Sequence, residues 1–248
     1  MNSVIIIPAR LASTRLPRKL LLKETGISVL QHTYESASLS RKASQTIVAA
    51  DSPEIVEEVK SFGGRVVLTD PAHSCGTDRV AEVALSLNDC DLIVNVQGDE
   101  PEISADSIDL AISLLEQNPE VPMSTLATGI GNRDLLLDPS CVKVVLDQQG
   151  RAMYFSRSVI PCPREWDEEY LQATPPSFLQ HIGLYCYRRE FLLEIPRLPV
   201  PPMETIESLE QLRVLANGKP ILVGTIDHPV VGIDTAEDYE SFVRRQSN

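Results

Sequence analysis

Short apolar runs rich in valine and isoleucine recur along the first half of the chain, and each is bounded by polar residues, glycine or proline. Such runs are typical of strands that are buried on both faces, as in a parallel sheet. They predict four strands, at Val4 to Ile7, Thr46 to Ala50, Val66 to Leu68 and Leu92 to Val96.

Between these strands, apolar residues recur at helical spacing, and residues that begin helices precede them. Ser28, with Gln31 three positions on, has the pattern of a capping box, and Ser104 precedes a similar apolar face. Thr77 stands before a third such face, which starts at Val80. The alternation of strands and helices predicts an α/β fold with Rossmann-like layers and a mixed, mostly parallel sheet.

The second half of the chain is less regular. A proline-rich region from Pro161 to Pro202 is a poor candidate for regular core, and we expect it to cover a site or to meet another subunit. The remaining pattern predicts a helix from about Glu204 to Asn217, and strands at Cys141 to Leu146, Ala152 to Phe155, His181 to Tyr187 and Ile221 to Thr225.

Composition narrows the class of protein. With 248 residues, 43% of them apolar, the chain is long enough to bury one sizeable core, so we expect a single domain over residues 1–248. The formal net charge of -13 disfavours binding to DNA or RNA, because neutralisation of phosphates dominates that affinity. A small anionic substrate in a local basic pocket stays compatible with this charge.

The cysteines and the first apolar run indicate the cellular compartment in which we expect the protein. Five cysteines form no C-x-x-C pair, which fits neither a disulfide framework nor a zinc site, so we interpret them as reduced thiols. The first apolar run is interrupted by Pro8 and Arg10, and we expect neither a signal peptide nor a membrane span. The expected location is the cytoplasm, with no membrane partner.

The loop after the first strand is strongly cationic. Residues 1–23 contain five basic residues and no Asp or Glu, in a chain that is acidic overall. Like charges in one loop repel each other unless an anion lies among them. Loops at the carboxyl ends of parallel strands bind ligands in open α/β folds. The pattern favours a polyphosphate site, and a solvated basic turn is the alternative.

Two common nucleotide-binding motifs, G-x-G-x-x-G and G-x-x-x-x-G-K-[ST], do not occur in the sequence, which lowers support for a dehydrogenase or a P-loop enzyme. Asp99 instead follows the strand that ends at Val96, and Gly98 beside it permits a close backbone approach. A carboxylate in this position can hold Mg²⁺ while substrate phosphates complete its coordination. The alternative is a carboxylate that caps a turn.

Eight segments carry a more specific pattern. They are PARLASTRLPRK at 8–19, SCGTDR at 74–79, NVQGDEP at 95–101, VKVVLD at 142–147, YFSR at 154–157, HIGLYCYR at 181–188, ESLEQLR at 207–213 and GIDTAED at 232–238. Taken in order, these segments resemble the 3-deoxy-manno-octulosonate (Kdo) cytidylyltransferase family over nearly the whole chain. The segments HIGLYCYR and ESLEQLR are the most particular to that family.

The resemblance implies a function. Such enzymes join CTP and Kdo to give CMP-Kdo, for lipopolysaccharide biosynthesis, and release pyrophosphate. It also implies the fold of nucleotide-diphospho-sugar transferases, Mg²⁺ as a cofactor, and a homodimer. An excursion around residues 155–203 would bind the sugar and contact the second subunit.

The resemblance also assigns residues. Asp99 and Asp234 would hold the Mg²⁺, and together with Arg10 and Lys19 they form the implied catalytic set. The residues that would bind CTP are Ala9, Arg10, Arg15, Lys19, Ser74, Gly76, Thr77, Arg79 and Gln97. The residues that would bind Kdo are Arg157, His181, Tyr185, Glu210 and Gln211.

Several of these side chains also have an ordinary structural explanation. Asp234 and Thr77 are suitable helix caps, and Arg79 is a suitable solvated residue in a first helical turn. His181 and Tyr185 alternate along a predicted strand, where such residues more often pack in a core.

Three positions depart from the family pattern. In the basic loop, Arg18 stands where glycine is usual and Leu21 stands where a second proline is usual. Cys186 stands where glycine is common, so we expect it to crowd the sugar side. Two further classes of function stay open. One is a related enzyme, either a cytidylyltransferase for another sugar acid such as sialic acid or a glycosyltransferase with a similar layered fold and an acidic metal site. The other is a module that binds a nucleotide without turnover.

Overall fold

The computed structural model describes residues 1–13, 15–73, 75–227 and 231–247. Within these residues the chain forms nine strands: β1 (Ser3–Ala9), β2 (Ala43–Ala50), β3 (Val66–Leu68), β4 (Leu92–Asn95), β5 (Met123–Gly129), β6 (Lys143–Leu146), β7 (Ala152–Ser156), β8 (Leu179–Arg188) and β9 (Ile221–Ile226).

The same residues form nine α-helices: α1 (Val29–Ser38), α2 (Pro53–Ser61), α3 (Gly76–Leu85), α4 (Ala105–Gln117), α5 (Arg133–Leu137), α6 (Arg189–Glu194), α7 (Pro202–Glu207), α8 (Gln211–Ala216) and α9 (Ala236–Gln246). Short 3-10 helices cover Lys19–Leu21, Glu168–Leu171 and Ile195–Arg197. No helix in the described ranges combines the length and the apolar character needed to span a membrane.

The strands form one mixed sheet in the order β3-β2-β1-β4-β8-β5-β9. β1 is parallel to β2 and β4, β2 is parallel to β3, and β5 is parallel to β9. β8 is antiparallel to both of its main neighbours, β4 and β5. The predicted α/β fold with Rossmann-like layers and a mixed, mostly parallel sheet is therefore confirmed.

The hairpin of β6 and β7 lies off this order and pairs with the start of β8, where Lys143 is opposite Gln180. β8 belongs to the region around 155–203, so this region contributes a central strand to the sheet. Its irregular part, residues 157–178, contains the 3-10 helix Glu168–Leu171.

Helices cover both faces of the sheet. On β1, Ile5 and Ile7 point to the face covered by α1, α2, α4 and α9, and Val4 and Ile6 point to the face covered by α3, α6 and α8. All seven residues of β1 are buried. A central strand with helices on both sides has no solvated face, which explains its uninterrupted apolar run.

Two helices begin at the predicted serines, although Gln31 does not complete the capping box expected at Ser28, because its Nε2 donates to Glu35 Oε1 at 2.7 Å. Ser28 Oγ accepts a hydrogen bond from Gln31 N at 3.1 Å, and Ser104 Oγ accepts one from Ser107 N at 3.0 Å. These hydroxyls satisfy backbone N–H groups that have no partner within the helix.

Two other elements differ from the prediction. Cys75, rather than Thr77, precedes α3, and its Sγ accepts a hydrogen bond from Asp78 N at 3.4 Å. The helix predicted from Glu204 is divided into α7 and α8, because Ser208 takes a left-handed backbone conformation with φ 52° and ends α7. This break places Glu210 at the start of α8.

Candidate active site

Two adjoining cavities lie at the carboxyl ends of β1 and β4. The larger has a volume of about 510 Å³ and the smaller one of about 380 Å³. Gly76, Gln97, Asp99 and Asp234 line both cavities. The cavities therefore meet at two carboxylates, on the edge of the sheet where open α/β folds bind ligands.

The cationic loop after β1 forms a wall of the smaller cavity, and the chain itself supplies anions to this loop. Lys19 Nζ contacts Asp99 Oδ2, and it donates hydrogen bonds to Asp234 Oδ1 at 3.0 Å and Ile233 O at 2.9 Å. Arg15 pairs with Asp234 at 3.2 Å. Burial lowers the pKa of Lys19, but the two carboxylates outweigh burial and raise this pKa above its ordinary value.

Arg10 differs from the other cations of the loop. It lines the smaller cavity, and its buried Nη2 has no hydrogen-bond partner among the described residues. Because an unpaired buried donor costs free energy, this nitrogen favours an anionic ligand at its position.

Asp99 lies in the turn after β4. Its carbonyl accepts a hydrogen bond from Ile233 N at 2.9 Å, which ties this turn to the segment before α9. Gly98 permits a close approach to β1, because a Cβ there would lie 3.1 Å from Pro8 O. The turn thus holds Asp99 at the point where the cavities meet.

Asp234 stands one position before the helix cap. Thr235 is the N-cap of α9, and it forms a capping box with Asp238. The Asp234 carboxylate is therefore not needed for the cap, and it contacts Lys19 and Arg15 instead.

The Asp99 and Asp234 carboxylates converge on one cation, since both contact the Lys19 ammonium. Within the described ranges, no group of three or more Asp, Glu, His or Cys residues is placed to hold a metal ion. Two carboxylates leave the other positions of an octahedral Mg²⁺ to phosphate oxygens and water, a pattern typical of phosphate-transfer sites. The donor set therefore fits Mg²⁺ together with a nucleotide.

The predicted CTP-binding residues occupy different places. Arg10, Arg15 and Lys19 line the smaller cavity, Thr77 lines the larger one, and Gly76 and Gln97 line both. Ala9 and Arg79 line neither cavity, and both side chains are buried. Arg79 donates to Thr69 Oγ1 and to Asp70 O behind the cavities. Ser74 lies outside the described residues.

The predicted Kdo-binding residues all line the larger cavity: Arg157, His181, Tyr185, Glu210 and Gln211. Glu210 accepts a hydrogen bond from Thr77 Oγ1 at 2.6 Å, which joins this group to the start of α3. Gln211 Nε2 is buried and has no hydrogen-bond partner in the part of the chain that the structure describes.

Arg157 is held in place by backbone carbonyls. Its Nε donates to Glu207 O at 2.6 Å, Nη1 to Pro139 O at 3.0 Å, and Nη2 to Ser208 O at 3.4 Å. Its own carbonyl accepts from Nζ of the fully buried Lys143 at 2.6 Å. A guanidinium has five N–H donors, so two of them stay available to a ligand.

Two of the departures from the family pattern, Arg18 and Cys186, have different outcomes. Arg18 takes a left-handed backbone conformation with φ 57°, which favours glycine, and its guanidinium pairs with Glu54. The expectation that Cys186 crowds the sugar side is wrong. Successive residues of a strand point to opposite faces, so Tyr185 faces the larger cavity while Cys186 is buried in the core.

Asn95 and Glu100 also line the larger cavity, and neither was predicted from the sequence. Both belong to the segment 95–101 that carries Gln97 and Asp99, and this segment is the pattern that pointed to them. Burial, and secondly the nearby Asp99, raise the pKa of Glu100 to about 8.

His181 is neutral in the folded protein. Its Nε2 shares a hydrogen bond with Thr125 Oγ1 at 2.9 Å, and burial lowers the pKa of the imidazole from 6.5 to about 3. The unfolded chain takes up this proton below about pH 6.5. The free energy of unfolding is therefore expected to fall by about 1.4 kcal/mol per pH unit, through this residue, as the pH drops from 6.5 toward 3.

Urea unfolding of His181→Gln between pH 7 and 5 tests this expectation. The variant should lose stability less steeply than the wild type as the pH falls, and the partly exposed His73, changed to Gln, is the matched control. Equal slopes for His181→Gln and wild type would contradict a buried neutral imidazole.

Comparisons with known proteins place this chain in a family. A family model described as cytidylyltransferase matches residues 4–221. The 3-deoxy-manno-octulosonate cytidylyltransferase of Rhodopirellula baltica is 50% identical over 246 residues, which cover 99% of this chain and 98% of the relative. The enzyme of the same name from Geobacter sulfurreducens is 44% identical over 250 residues, covering 99% of each chain.

A solved structure of CMP:2-keto-3-deoxy-manno-octonic acid synthetase, complexed with CTP, superimposes on the whole chain and on 99% of its own, with a TM-score of 0.92 and 36% identity. A cytidylyltransferase from Leptospira borgpetersenii shares the fold, with a TM-score of 0.62 at 18% identity, and covers 98% of this chain and 85% of its own. On the identity and coverage of the curated relatives, the chain belongs to the 3-deoxy-manno-octulosonate cytidylyltransferase family.

Proposed function

We propose that this chain transfers the cytidylyl group of CTP to Kdo, giving CMP-Kdo and pyrophosphate. The observation that carries the proposal is the meeting of two different cavities at Asp99 and Asp234. The smaller cavity is lined by cations, which suits a triphosphate. The larger is lined by hydrogen-bonding side chains, which suits a polyhydroxylated acid.

On the nucleotide side, Arg10, Arg15 and Lys19 bind the triphosphate. Each charge-assisted hydrogen bond contributes about 1.5 to 3 kcal/mol. Gly76 and Thr77, at the start of α3, meet the pyrimidine and ribose, because the first N–H groups of a helix have no partner within it.

In the reaction, the anomeric hydroxyl oxygen of Kdo forms a bond to the α-phosphorus of CTP. The bond from that phosphorus to the bridging oxygen breaks, pyrophosphate leaves with the electron pair, and the hydroxyl proton passes to solvent. The residues of the chain act mainly by positioning and charge, which this class of transfer requires. Mg²⁺ held by Asp99 and Asp234 would neutralise phosphate charge and lower the pKa of the attacking hydroxyl.

Changing Arg157 to Lys is expected to raise the KM for Kdo about tenfold or more, and to leave the KM for CTP nearly unchanged. Lysine keeps the positive charge but loses the planar fork of donors. Because that fork also bonds three backbone carbonyls, the melting temperature should fall as well. Steady-state kinetics with each substrate varied in turn measures the effect.

Arg164→Lys is the control for this variant, since Arg164 is exposed and lines neither cavity. It should retain both KM values. A defect of Arg157→Lys that is confined to CTP would remove this residue from the sugar side.

The proposed function itself is tested by pyrophosphate release from CTP, with Kdo or sialic acid as acceptor, in Mg²⁺ or in EDTA. We expect release with Kdo and Mg²⁺, and none in EDTA. Equal turnover of sialic acid and Kdo would favour the broader sugar-acid enzyme. Binding of CTP without release under every condition would favour the nucleotide-binding module.

We further propose that residues 1–248 form one catalytic domain, that the region around 155–203 contributes to sugar binding and that the same region contacts a second copy in a homodimer. Tyr170 and Val200 in this region, and Ile206 just after it, are exposed apolar side chains, and exposed apolar groups favour an interface. Sedimentation velocity measures the oligomeric state. The proposed location is the cytoplasm, since all five cysteines are free thiols.

A further inference from the structure

The larger cavity contains buried polar atoms that the assignments above leave unused. Asn95 is 2% exposed and Glu100 is 9% exposed, and both line this cavity. Asn95 Oδ1 and Glu100 Oε2 are buried, and neither has a hydrogen-bond partner among the described residues. Buried polar atoms in folded proteins are nearly always paired, so two unpaired oxygens in one cavity require an explanation.

The backbone holds both residues without using these oxygens. Asn95 ends β4 and pairs with Tyr185 of β8. In the following turn, Glu100 N donates to Gln97 O at 3.2 Å, and Glu100 O accepts from Ile103 N at 3.2 Å. The local fold is therefore satisfied by main-chain bonds, and the two side-chain oxygens are free to serve a ligand.

Two glycines keep the space beside Glu100 open. A Cβ on Gly183 would lie 3.6 Å from Glu100 Oε1, and a Cβ on Gly232 would lie 4.0 Å from Glu100 Cγ. Both glycines line the same cavity. A side chain longer than that of alanine at either position would fill this space, so the glycines leave room for a ligand next to the carboxyl group.

The chemistry of the unpaired atoms defines the ligand. Asn95 Oδ1 accepts hydrogen bonds, and the carboxyl group of Glu100 accepts them when ionised and can also donate one when protonated, so the pair suits a partner that both donates and accepts. Neither residue lines the smaller cavity that carries the basic loop. Gln211 Nε2, an unpaired donor in the same cavity, complements them. A sugar hydroxyl, which donates and accepts, matches this set.

We propose that Asn95 and Glu100 bind hydroxyl groups of the acceptor sugar and so select its hydroxyl pattern. This inference rests on the proposed function, because that function assigns the acceptor to the larger cavity. A site built to bond a substrate hydroxyl rejects an analogue that lacks it, since the buried oxygen is then left unpaired. The two residues would thus determine acceptor specificity, with no part in nucleotide binding.

The experiment compares Asn95→Leu, Glu100→Leu and Glu100→Gln with the control Glu102→Gln, whose carboxylate pairs with Arg245 outside both cavities. Each leucine variant should raise the acceptor KM about tenfold or more and leave the KM values for CTP and Mg²⁺ within twofold. Glu100→Gln keeps an oxygen that accepts hydrogen bonds, so it should raise the acceptor KM less than Glu100→Leu does. The melting temperature of the ligand-free leucine variants should equal or exceed that of the wild type, because an unpaired buried oxygen has been removed.

Monodeoxy analogues of Kdo complete the test. The wild type should discriminate against the analogue that lacks the bonded hydroxyl, and the matching leucine variant should not. An unchanged acceptor KM in folded variants, or equal use of all the analogues by the wild type, would overturn the inference, and the second result holds even where a leucine variant fails to fold.

The assay of the wild type tests the proposed function independently of the variants. If the wild type turns over another sugar acid and not Kdo, the same variants and the deoxy analogues of that acid decide the inference. If no sugar acid supports pyrophosphate release, both proposals are overturned.

Discussion

Changing Asp99 to Ala is expected to lower kcat about 10³-fold while the protein stays folded. The carboxylate lies where the two cavities meet and converges with Asp234 on one cation. Its loss removes a proposed ligand for Mg²⁺ and part of the charge that orients Lys19, and a single preorganised electrostatic contact of this kind is worth about 10²- to 10³-fold in rate. Pyrophosphate release and thermal unfolding of the same preparation measure both quantities.

Asp106→Ala is the matched control, because Asp106 is an exposed aspartate on α4 that pairs with Arg41. It should keep the kcat of the wild type, whereas Asp234→Ala should behave like Asp99→Ala. If Asp99→Ala kept near wild-type turnover and melted at a lower temperature, Asp99 would be a structural residue and the metal site would lie elsewhere.

Changing Lys19 to Met is expected to lower kcat/KM for CTP about 10²-fold or more, and also to destabilise the ligand-free protein. The Lys19 side chain is 14% exposed and bonds two carboxylates and one carbonyl. Without it, Asp99 and Asp234 face each other with less neutralising charge. The free energy of unfolding should fall by about 1 to 3 kcal/mol, as measured by urea denaturation.

Lys23→Met provides the comparison within the same loop. Lys23 pairs with Glu58 at 2.6 Å, its side chain is 50% exposed, and it lines neither cavity. This variant should therefore change kcat/KM for CTP and the free energy of unfolding only slightly. Adding Mg²⁺ should restore part of the lost stability to Lys19→Met and have little effect on wild type. A Lys19→Met protein more stable than wild type would mean that repulsion within the loop outweighs these ion pairs.

β1, β2 and β4 were predictable because burial on both faces leaves an uninterrupted apolar run. The same pattern predicted β3, although Val67 and Leu68 in that strand are exposed. β5 was not predicted, because Ser124 and Thr125 interrupt its pattern. Both residues are nevertheless fully buried, and their hydroxyls donate to Ala111 O at 2.7 Å and Leu184 O at 2.8 Å. In a sequence, a hydroxyl satisfied by a neighbouring strand or helix looks the same as a solvated one.

The candidate site was predictable only in part, for a related reason. The excess of positive charge after β1 pointed to an anion, but Lys19 and Asp234 are 215 residues apart, and no local pattern shows that they pair. The helix break at Ser208 could not be predicted either, because glycine is the usual sequence signal of a left-handed conformation and this position is serine. Ion pairs between residues far apart in the sequence, and single residues with an unusual backbone conformation, are seen only in the folded chain.

Lys19 serves the protein as a built-in counter-ion. Because its ammonium already neutralises the two carboxylates, we expect the fold to be stable without divalent cations. If Mg²⁺ is the cofactor, as proposed, a cell short of magnesium would keep this protein folded and inactive, and the metal would restore activity with no need to refold or replace the protein. The arrangement would separate the metal requirement of the proposed activity from the stability of the folded protein.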